Sequence, residues 1–448
     1  MKILRFIISG FFLFGGIINV VAQDTQYWSK QYGTYGELLG GIVVGGISDL
    51  SASYYNPGSM TFTTDSALVL TTHSMQAYII TMNSAFGTES SLTSFSVKAS
   101  PSIFAFRLPF KWLGDNQIVI SYISRYDFDF EAQELNSTPY SKSQNLYSAN
   151  EVSVYENLSE YWPGISWSKA ISKNIGIGAT LYLPYRSQNA RNQVVLQSID
   201  SSTTKKTGVV FEDYSYYNLR TLLKLGASFK LNKLMLGVTL TTPSLNIFGV
   251  GSTAMNVTAN NLDSVMLGTL PTFASDFQED LSAQFHSSLS IAVGVAYYLE
   301  NTSFYFTAEW FNNVNEFNIM NPNPFHAQSS GEMLNYNSAY SLNSVINFGF
   351  GVKHIVNKDF TYYGSITSDQ TAFVPNTTNK FALSNWDIIH IRSGGMFNIK
   401  KLSITLGLGY GFTGNIYNGL RIFGQKKTDR ADVDYHQLDI VFGFTYKL

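Results

Sequence analysis

Large apolar residues alternate one by one with glycine or small polar residues over stretch after stretch of this chain, and that period of two fixes its fold class. From Leu402 to Phe412 the apolar set is Leu402, Ile404, Leu406, Leu408, Tyr410 and Phe412, and between them stand Ser403, Thr405, Gly407, Gly409 and Gly411. The pattern recurs in Ile346 to Lys353, in Ile291 to Tyr297 and in Ile175 to Leu183. Residues two apart share one face of an extended chain, so each stretch reads as a strand with one apolar face and one small-residue face.

Where those apolar faces point follows from composition. Charged residues make up only 13% of the chain and aromatics 15%, whereas a soluble domain is about a quarter charged. After residue 22 no apolar run reaches the ~20 residues of a transmembrane helix, so a helical membrane protein is excluded. A closed sheet whose apolar face meets lipid, with 28 tyrosines and 33 phenylalanines available for interfacial girdles, satisfies all of this. The glycine-rich face then points into the lumen.

Counting alternating stretches gives about fourteen strands, at 66–82, 94–110, 116–133, 150–171, 174–196, 210–230, 232–248, 284–300, 301–320, 341–357, 358–374, 385–399, 400–416 and 434–448. An even number lets the sheet close without edges. Short polar turns such as Ser172-Lys173-Asn174 and Asn357-Lys358-Asp359 alternate with long polar stretches at 134–150, 197–210, 249–283, 321–340 and 417–433. Short periplasmic turns and long extracellular loops are the expected asymmetry, which puts both termini on the periplasmic side. The last strand ends on an apolar residue, Leu448, resembling the signal read by barrel-assembly machinery, where phenylalanine is usual.

Lys2 and Arg5 before the apolar run Phe6 to Val21, with Val20-Val21-Ala22 at a small-residue cleavage point, read as a signal peptide over 1–22. The formal net charge is −2 with no basic run, which argues against nucleic-acid binding. Zero cysteines remove disulfides, thiolate metal sites, a cysteine nucleophile and a lipid-anchoring cysteine. Six scattered histidines have no metal-ligand spacing, and no G-x-S-x-G motif occurs, so neither a metal, a cofactor nor an enzyme is expected. Asp127, Asp129 and Glu131, alternating with Phe128 and Phe130, read as a polar lumen or rim against an apolar edge rather than as a cation site.

Residues 40–60, GGIVVGGISDLSASYYNPGSM, stand apart as a glycine- and turn-rich segment ahead of the first strand. A lumen lined by small residues needs an occupant, so 23–65 is the expected plug and 66–448 the barrel. Gly45 to Gly58, ending in Tyr54-Tyr55-Asn56-Pro57-Gly58, resembles the hatch of the FadL/TodX family of outer-membrane transport proteins. Leu240 to Gly249 and Glu160-Tyr161-Trp162-Pro163-Gly164 resemble two further family segments. Asn56 and Pro57 match the hatch motif, while Gly58 stands where the family has alanine.

The resemblance implies a fourteen-stranded, hatch-plugged barrel through which long-chain fatty acids or other hydrophobic compounds move passively and leave sideways beside a kinked third strand, here Ser121 to Glu134. An apolar groove opening into lipid spares such a molecule contact with water. Candidate ligand contacts are Tyr54, Tyr55, Met60 and Phe62 of the hatch with inward Tyr182, Tyr305 and Phe311. Arg186, Lys224 and Lys353, on the lumen phase, are candidates for a carboxylate. The expected surroundings are outer-membrane lipid and lipopolysaccharide, and the expected state a monomer. The alternative is a FadL-like barrel serving as a non-transporting scaffold subunit of an outer-membrane secretion or insertion complex, which would bring outer-membrane protein partners.

Overall fold

The computed structural model of the protein describes residues 25–47, 49–63, 66–83, 91–110, 114–141, 146–199, 204–261, 271–374, 386–413 and 432–447. The expected signal peptide, residues 1–22, and Leu448 lie outside the described residues. Fourteen antiparallel strands form a closed barrel, numbered 1 to 14 along the chain. Strands 1 to 4 are Ser66–Asn83, Ser91–Arg107, Asn116–Ser141 and Leu146–Ser172. Strand 5 runs as Ile175–Tyr182 and Tyr185–Ile199, strand 6 as Lys205–Leu231, and strand 7 as Leu234–Thr241 and Leu245–Asn260. Strand 8 is Phe273–Ser282 and Ser290–Tyr298. Strands 9 to 14 are Thr302–Phe311, Val345–Ile355, Phe360–Asp369, Ile388–Ile399, Leu402–Thr413 and Asp432–Lys447. Strand 1 pairs with strand 14 from Ser66–Lys447 to Asn83–Asp432, so the sheet has no edge there to manage.

The two faces sort as the alternation requires. Ile291, Val293, Ile346, Phe348, Phe350, Leu406 and Leu408 are exposed on the outside. The residues between them, including Gly294, Asn347, Gly349 and Gly409, face inward and are buried or partly so. Tyr122, Tyr155, Tyr185 and Tyr217 lie outward on strands 3 to 6, where aromatic residues suit a membrane boundary.

Toward the long-loop end the chemistry of the faces reverses without a change of phase. On strand 4, Ile165 and Trp167 face out with Ser166 and Ser168 inside. Further along the same strand Val152, Val154 and Leu158 are buried inside, while Glu151, Ser153 and Asn157 lie on the outer phase. An apolar face turned inward marks wall that stands in water around its own core.

That reversal explains why several strands outrun their sequence assignments. The expected loop 249–283 is strand at Gly249–Asn260 and Phe273–Ser282, and the expected loops at 134–150 and 197–210 are largely strand as well. Conversely, strand 9 stops at Phe311 rather than 320. The chain beyond it forms two small hairpins, Val314–Asn318 with Ala339–Leu342 and Phe325–His326 with Met333–Leu334. An isolated bridge, Ala283 with Met320, ties this loop to strand 8.

Residues 25–47 and 49–63 lie inside the ring, almost all buried, with short helices at Thr34–Leu38 and Ala52–Tyr55 and a 3-10 turn at Pro57–Phe62. Inward glycines receive them: Leu38 packs on Gly394 and Gly407, Ile42 on Gly349, Val44 on Gly237 and Gly294. Thr34 meets Thr445 of strand 14 at 2.9 Å, and the Arg107 guanidinium of strand 2 donates to the Thr63 carbonyl. The segment therefore touches the inner wall on every side.

Candidate functional site: a cavity between the N-terminal segment and the long loops

The Asn56-Pro57-Gly58 turn anchors the segment to strands 5, 6 and 7. The Asn56 amide donates to the carbonyls of Val44 (2.9 Å) and Ala227 (3.1 Å) and to the Ser228 hydroxyl (3.0 Å). Its carbonyl oxygen accepts from the Gly58 N–H at 3.1 Å, capping the 3-10 turn that Pro57 opens. Gly58 in turn lies against the backbone of Gly176 and Gly226, with no room for a side chain on either partner. Asp49 organises the other half of the segment by accepting from the Ser51 N–H (2.9 Å) and the Thr34 hydroxyl (2.9 Å). Burial raises its carboxyl above the ordinary range, and these hydrogen bonds work against that rise.

Beyond the segment lies a cavity of about 600 Å³ including its mouth. Tyr27, Tyr54, Tyr126, Trp162, Phe285 and Phe311 supply its aromatic surface. Four cations, Arg125, Arg186, Arg220 and Lys224, share it with two carboxylates, Glu160 and Glu309. Glu160 is paired with both Arg220 (2.7 Å) and Arg186 (3.1 Å) and accepts from the Trp162 indole at 2.6 Å. Glu309 accepts from the Trp28 indole (2.9 Å) and the Ser290 hydroxyl (2.7 Å). Arg186 and Arg220 also lie over the Phe285 ring, at 4.0 and 4.7 Å, and Lys224 lies 4.3 Å from the Tyr54 ring centre. The lining thus combines apolar ring faces with an excess of positive charge, a surface suited to an apolar body with an anionic or electron-rich end.

The wall beside this cavity is irregular. Strand 2 pairs with strand 1 along its whole length, but with strand 3 only from Arg107–Val119 to Ile103–Ile123. At that height Ser102 is bulged out of the strand 1–2 register and Arg125 out of the strand 3–4 register. Pro101 directly precedes Ser102, and a proline has no N–H for a ladder. Past this point side chains replace the backbone ladder: Lys98 reaches Asp127 at 2.7 Å, and Ser94 accepts from the Glu131 N–H at 3.1 Å. From inside, the Lys30 ammonium donates to Ser124 (2.9 Å) and Ser100 (3.2 Å), one on each strand. Burial pushes the Lys30 amine down to about 8, against the attraction of Asp127. A smaller void of about 370 Å³, lined by Lys30, Gln76, Tyr78, Asp127 and Gln437 among others, lies behind the parting and shares Arg125 and Tyr126 with the main cavity. The bulge turns Arg125 into the lumen, where it donates to the Tyr27 carbonyl at 2.8 Å.

Of the residues singled out from sequence, Tyr54, Phe311, Arg186 and Lys224 line the main cavity. Tyr55 lines a third void of about 330 Å³ between segment and wall. Met60, Phe62, Tyr182 and Tyr305 belong instead to the apolar packing between segment and barrel, with the Tyr182 hydroxyl donating to the Ser53 carbonyl at 3.1 Å. Lys353 is near Lys447 at the short-turn end and lines none of these cavities. Arg125, Arg220 and Phe285 were not singled out, and Glu160 only as the first residue of a family-like segment rather than as a ligand contact. Charges on the lumen phase of spanning strands were the available signal for Glu160 and Arg220, as was Pro101 inside an alternating run for the parting.

No protein-family profile matches the sequence, and a search of curated proteins found no match. Solved structures do match in fold. The crystal structure of the Pseudomonas putida toluene transporter TodX aligns with a TM-score of 0.59 at 14% identity, covering 94% of this chain and 100% of that one. A Pseudomonas aeruginosa FadL homologue aligns at 0.60 and 12%, over 96% and 99%. The Ralstonia pickettii toluene transporter TbuX aligns at 0.58 and 11%, over 94% and 99%. The chain has the fold of FadL-type channels over nearly its whole length, and two of these three neighbours are toluene transporters.

Proposed function

We propose that this chain is an outer-membrane channel for passive movement of hydrophobic small molecules, long-chain fatty acids or aromatic compounds, with residues 23–65 as its hatch and 66–448 as its barrel. A substrate enters from the loop end, rests in the cavity lined by Tyr54, Phe285 and Phe311, and leaves sideways between strands 2 and 3. The reading rests above all on one observation: a cavity floored by the N-terminal segment adjoins the place where the strand 2–3 ladder lapses. An apolar solute following that path exchanges one apolar surface for another, so the driving force is its partition into lipid. Arg186 and Lys224 favour an anionic head group, whereas Lys353 serves no such role in this reading. Neither a cofactor nor an energy-coupling partner enters the proposal, and residues 1–22 serve as the export signal.

The test is uptake of radiolabelled oleate and toluene by cells with and without the correctly inserted protein. Faster uptake of either compound supports the channel. Unchanged uptake of both, together with stoichiometric partners on purification, would replace it with the scaffold reading.

A further inference from the structure

The wall departs from regular pairing in a second place, five strands away from the first. Strand 7 is interrupted at 242–244 and strand 8 at 283–289, and the two interruptions face each other. On the loop side the ladder ends with the Ala283 N–H donating to the Gly249 carbonyl at 3.0 Å. On the other side a reciprocal pair closes it: the Ser244 N–H donates to the Ser287 hydroxyl (3.0 Å) and the Ser287 N–H to the Ser244 hydroxyl (3.1 Å). Between these two points strand 8 turns into the lumen. The Gln284 N–H donates to the Ile319 carbonyl of the inner loop (2.9 Å), and Phe285 is buried beneath Arg186 and Arg220.

Among the described residues, strand 7 is left with no backbone partner on that side over Leu245–Phe248, about 13 Å of chain. Its side chains show the consequence. Leu245, Ile247 and Phe248 are 69%, 53% and 52% exposed, and Asn246, opposite inward Arg220, is exposed as well. Four consecutive exposed residues break the alternation seen elsewhere along the strand. An uncovered strand edge costs unsatisfied backbone in lipid, so a wall that keeps one with an apolar rim is built for something other than closure.

We infer that this eyelet is a second lateral portal, through which an uncharged ring or acyl chain passes between the cavity and the bilayer, with Phe285 as its inner door. The two portals share one chamber. Phe285, Ser287 and Ser288 line the cavity on this side, as Arg125 and Tyr126 do on the other. An inward polar girdle, Arg125, Glu160, Arg186 and Arg220, joins them along strands 3 to 6. The inference rests on the channel reading above and adds to it a second mouth.

The chain's lack of cysteine makes the test clean. Ser244→Cys with Ser287→Cys places two thiols where the hydroxyls already meet each other's backbone, a spacing a disulfide spans. Ser100→Cys with Ser124→Cys is the corresponding pair at the first parting, where both hydroxyls accept from the Lys30 ammonium, and formation of each disulfide is checked by mass before transport is read. Each pair, and both together, are reconstituted in liposomes bearing lipopolysaccharide in the outer leaflet, and pyrene transfer into the bilayer is followed by excimer fluorescence before and after reduction. The expected result is a several-fold loss on oxidising the 244/287 pair, a further loss with both pairs oxidised, and full recovery on reduction. Equal rates for the 100/124 pair alone and for both pairs together would overturn the second portal while leaving the channel intact. Rates equal to protein-free liposomes in every sample would overturn the channel itself.

An independent arm uses the full chain with benzophenone-phenylalanine at position 285. Photo-crosslinking to phospholipid supports the portal. Adducts to protein only, in a barrel that keeps its folded mobility on cold electrophoresis, overturn it.

Discussion

Replacing Gly58 by alanine asks how tightly the N-terminal segment is fitted to the wall. A Cβ at this position would lie 2.7 Å from the Gly226 carbonyl oxygen, 2.8 Å from that of Gly176 and 2.9 Å from the Ala227 Cα. All three are backbone atoms of strands 5 and 6, held by ladders on both sides, so none can rotate away. Reaching ordinary contact requires the turn to retreat by about half an ångström or more, stretching the Asn56 hydrogen bonds that fix it. Overpacking of this kind costs about 1–3 kcal/mol, a factor of about 5 to 150 in the undocked population of the segment. The FadL-like motif has alanine here. In this chain the inward glycines bring wall and turn together at backbone distance, and Gly58 completes that approach. The assay uses Met60→Cys, buried beneath the turn, as the only thiol in the protein. Maleimide labelling without denaturant should quicken by the stated factor in Gly58→Ala, while the barrel keeps its folded mobility on cold electrophoresis. Identical labelling rates with and without the alanine would refute the close-contact argument.

Three further outcomes are expected. Glu160→Gln leaves Arg186 and Arg220 buried without their shared carboxylate, which should cost about 3–5 kcal/mol in urea unfolding; adding Arg220→Met should recover part of it, and no recovery would argue against charge pairing as the cause. Because burial lowers the Lys30 amine to about 8, below its unfolded value, the unfolded state binds the extra proton between about pH 8 and 10.5, so docking strengthens as pH rises through that window. Lys30→Met should flatten this slope in the Met60→Cys labelling rate, and an unchanged slope would assign it elsewhere. Asp127→Asn removes the ion pair with Lys98 across the strand 2–3 parting and should speed pyrene release there; unchanged or slower release would show that the pair does not latch this mouth.

Much of the barrel was legible because lipid imposes a strict pattern. Where the outer face meets hydrocarbon, as at Ile346, Phe348 and Phe350, alternation alone identifies the strand and its outward face. Where the wall stands in water the same strand carries polar residues outside and Val152, Val154 and Leu158 inside, and the eye trained on the membrane pattern stops too soon. Strand 8 shows the loss most clearly: Phe273–Ser282 lies wholly within a stretch that composition marks as a loop. The cavity was only partly legible. Arg186 and Lys224 stand on the inward phase and line it, yet Lys353 satisfies the same rule and sits at the other end of the barrel. Phase tells which face a side chain takes and nothing about its height relative to a void.

The sequence by itself determined the class of object, a lipid-facing barrel with a small-residue lumen, because side-chain period and solvent polarity are local properties that each strand must satisfy independently. It also marked Asn56-Pro57-Gly58 as a turn. Only the tertiary structure decided that this turn docks against glycines of strands 5 and 6, that Glu160 gathers arginines from strands 5 and 6, and that the wall parts at Ser102/Arg125 and again at Leu245–Phe248. Those features depend on register between strands, which is set by the sum of all the pairings around a closed ring. No single strand carries that information, so the site emerges only when the ring is closed.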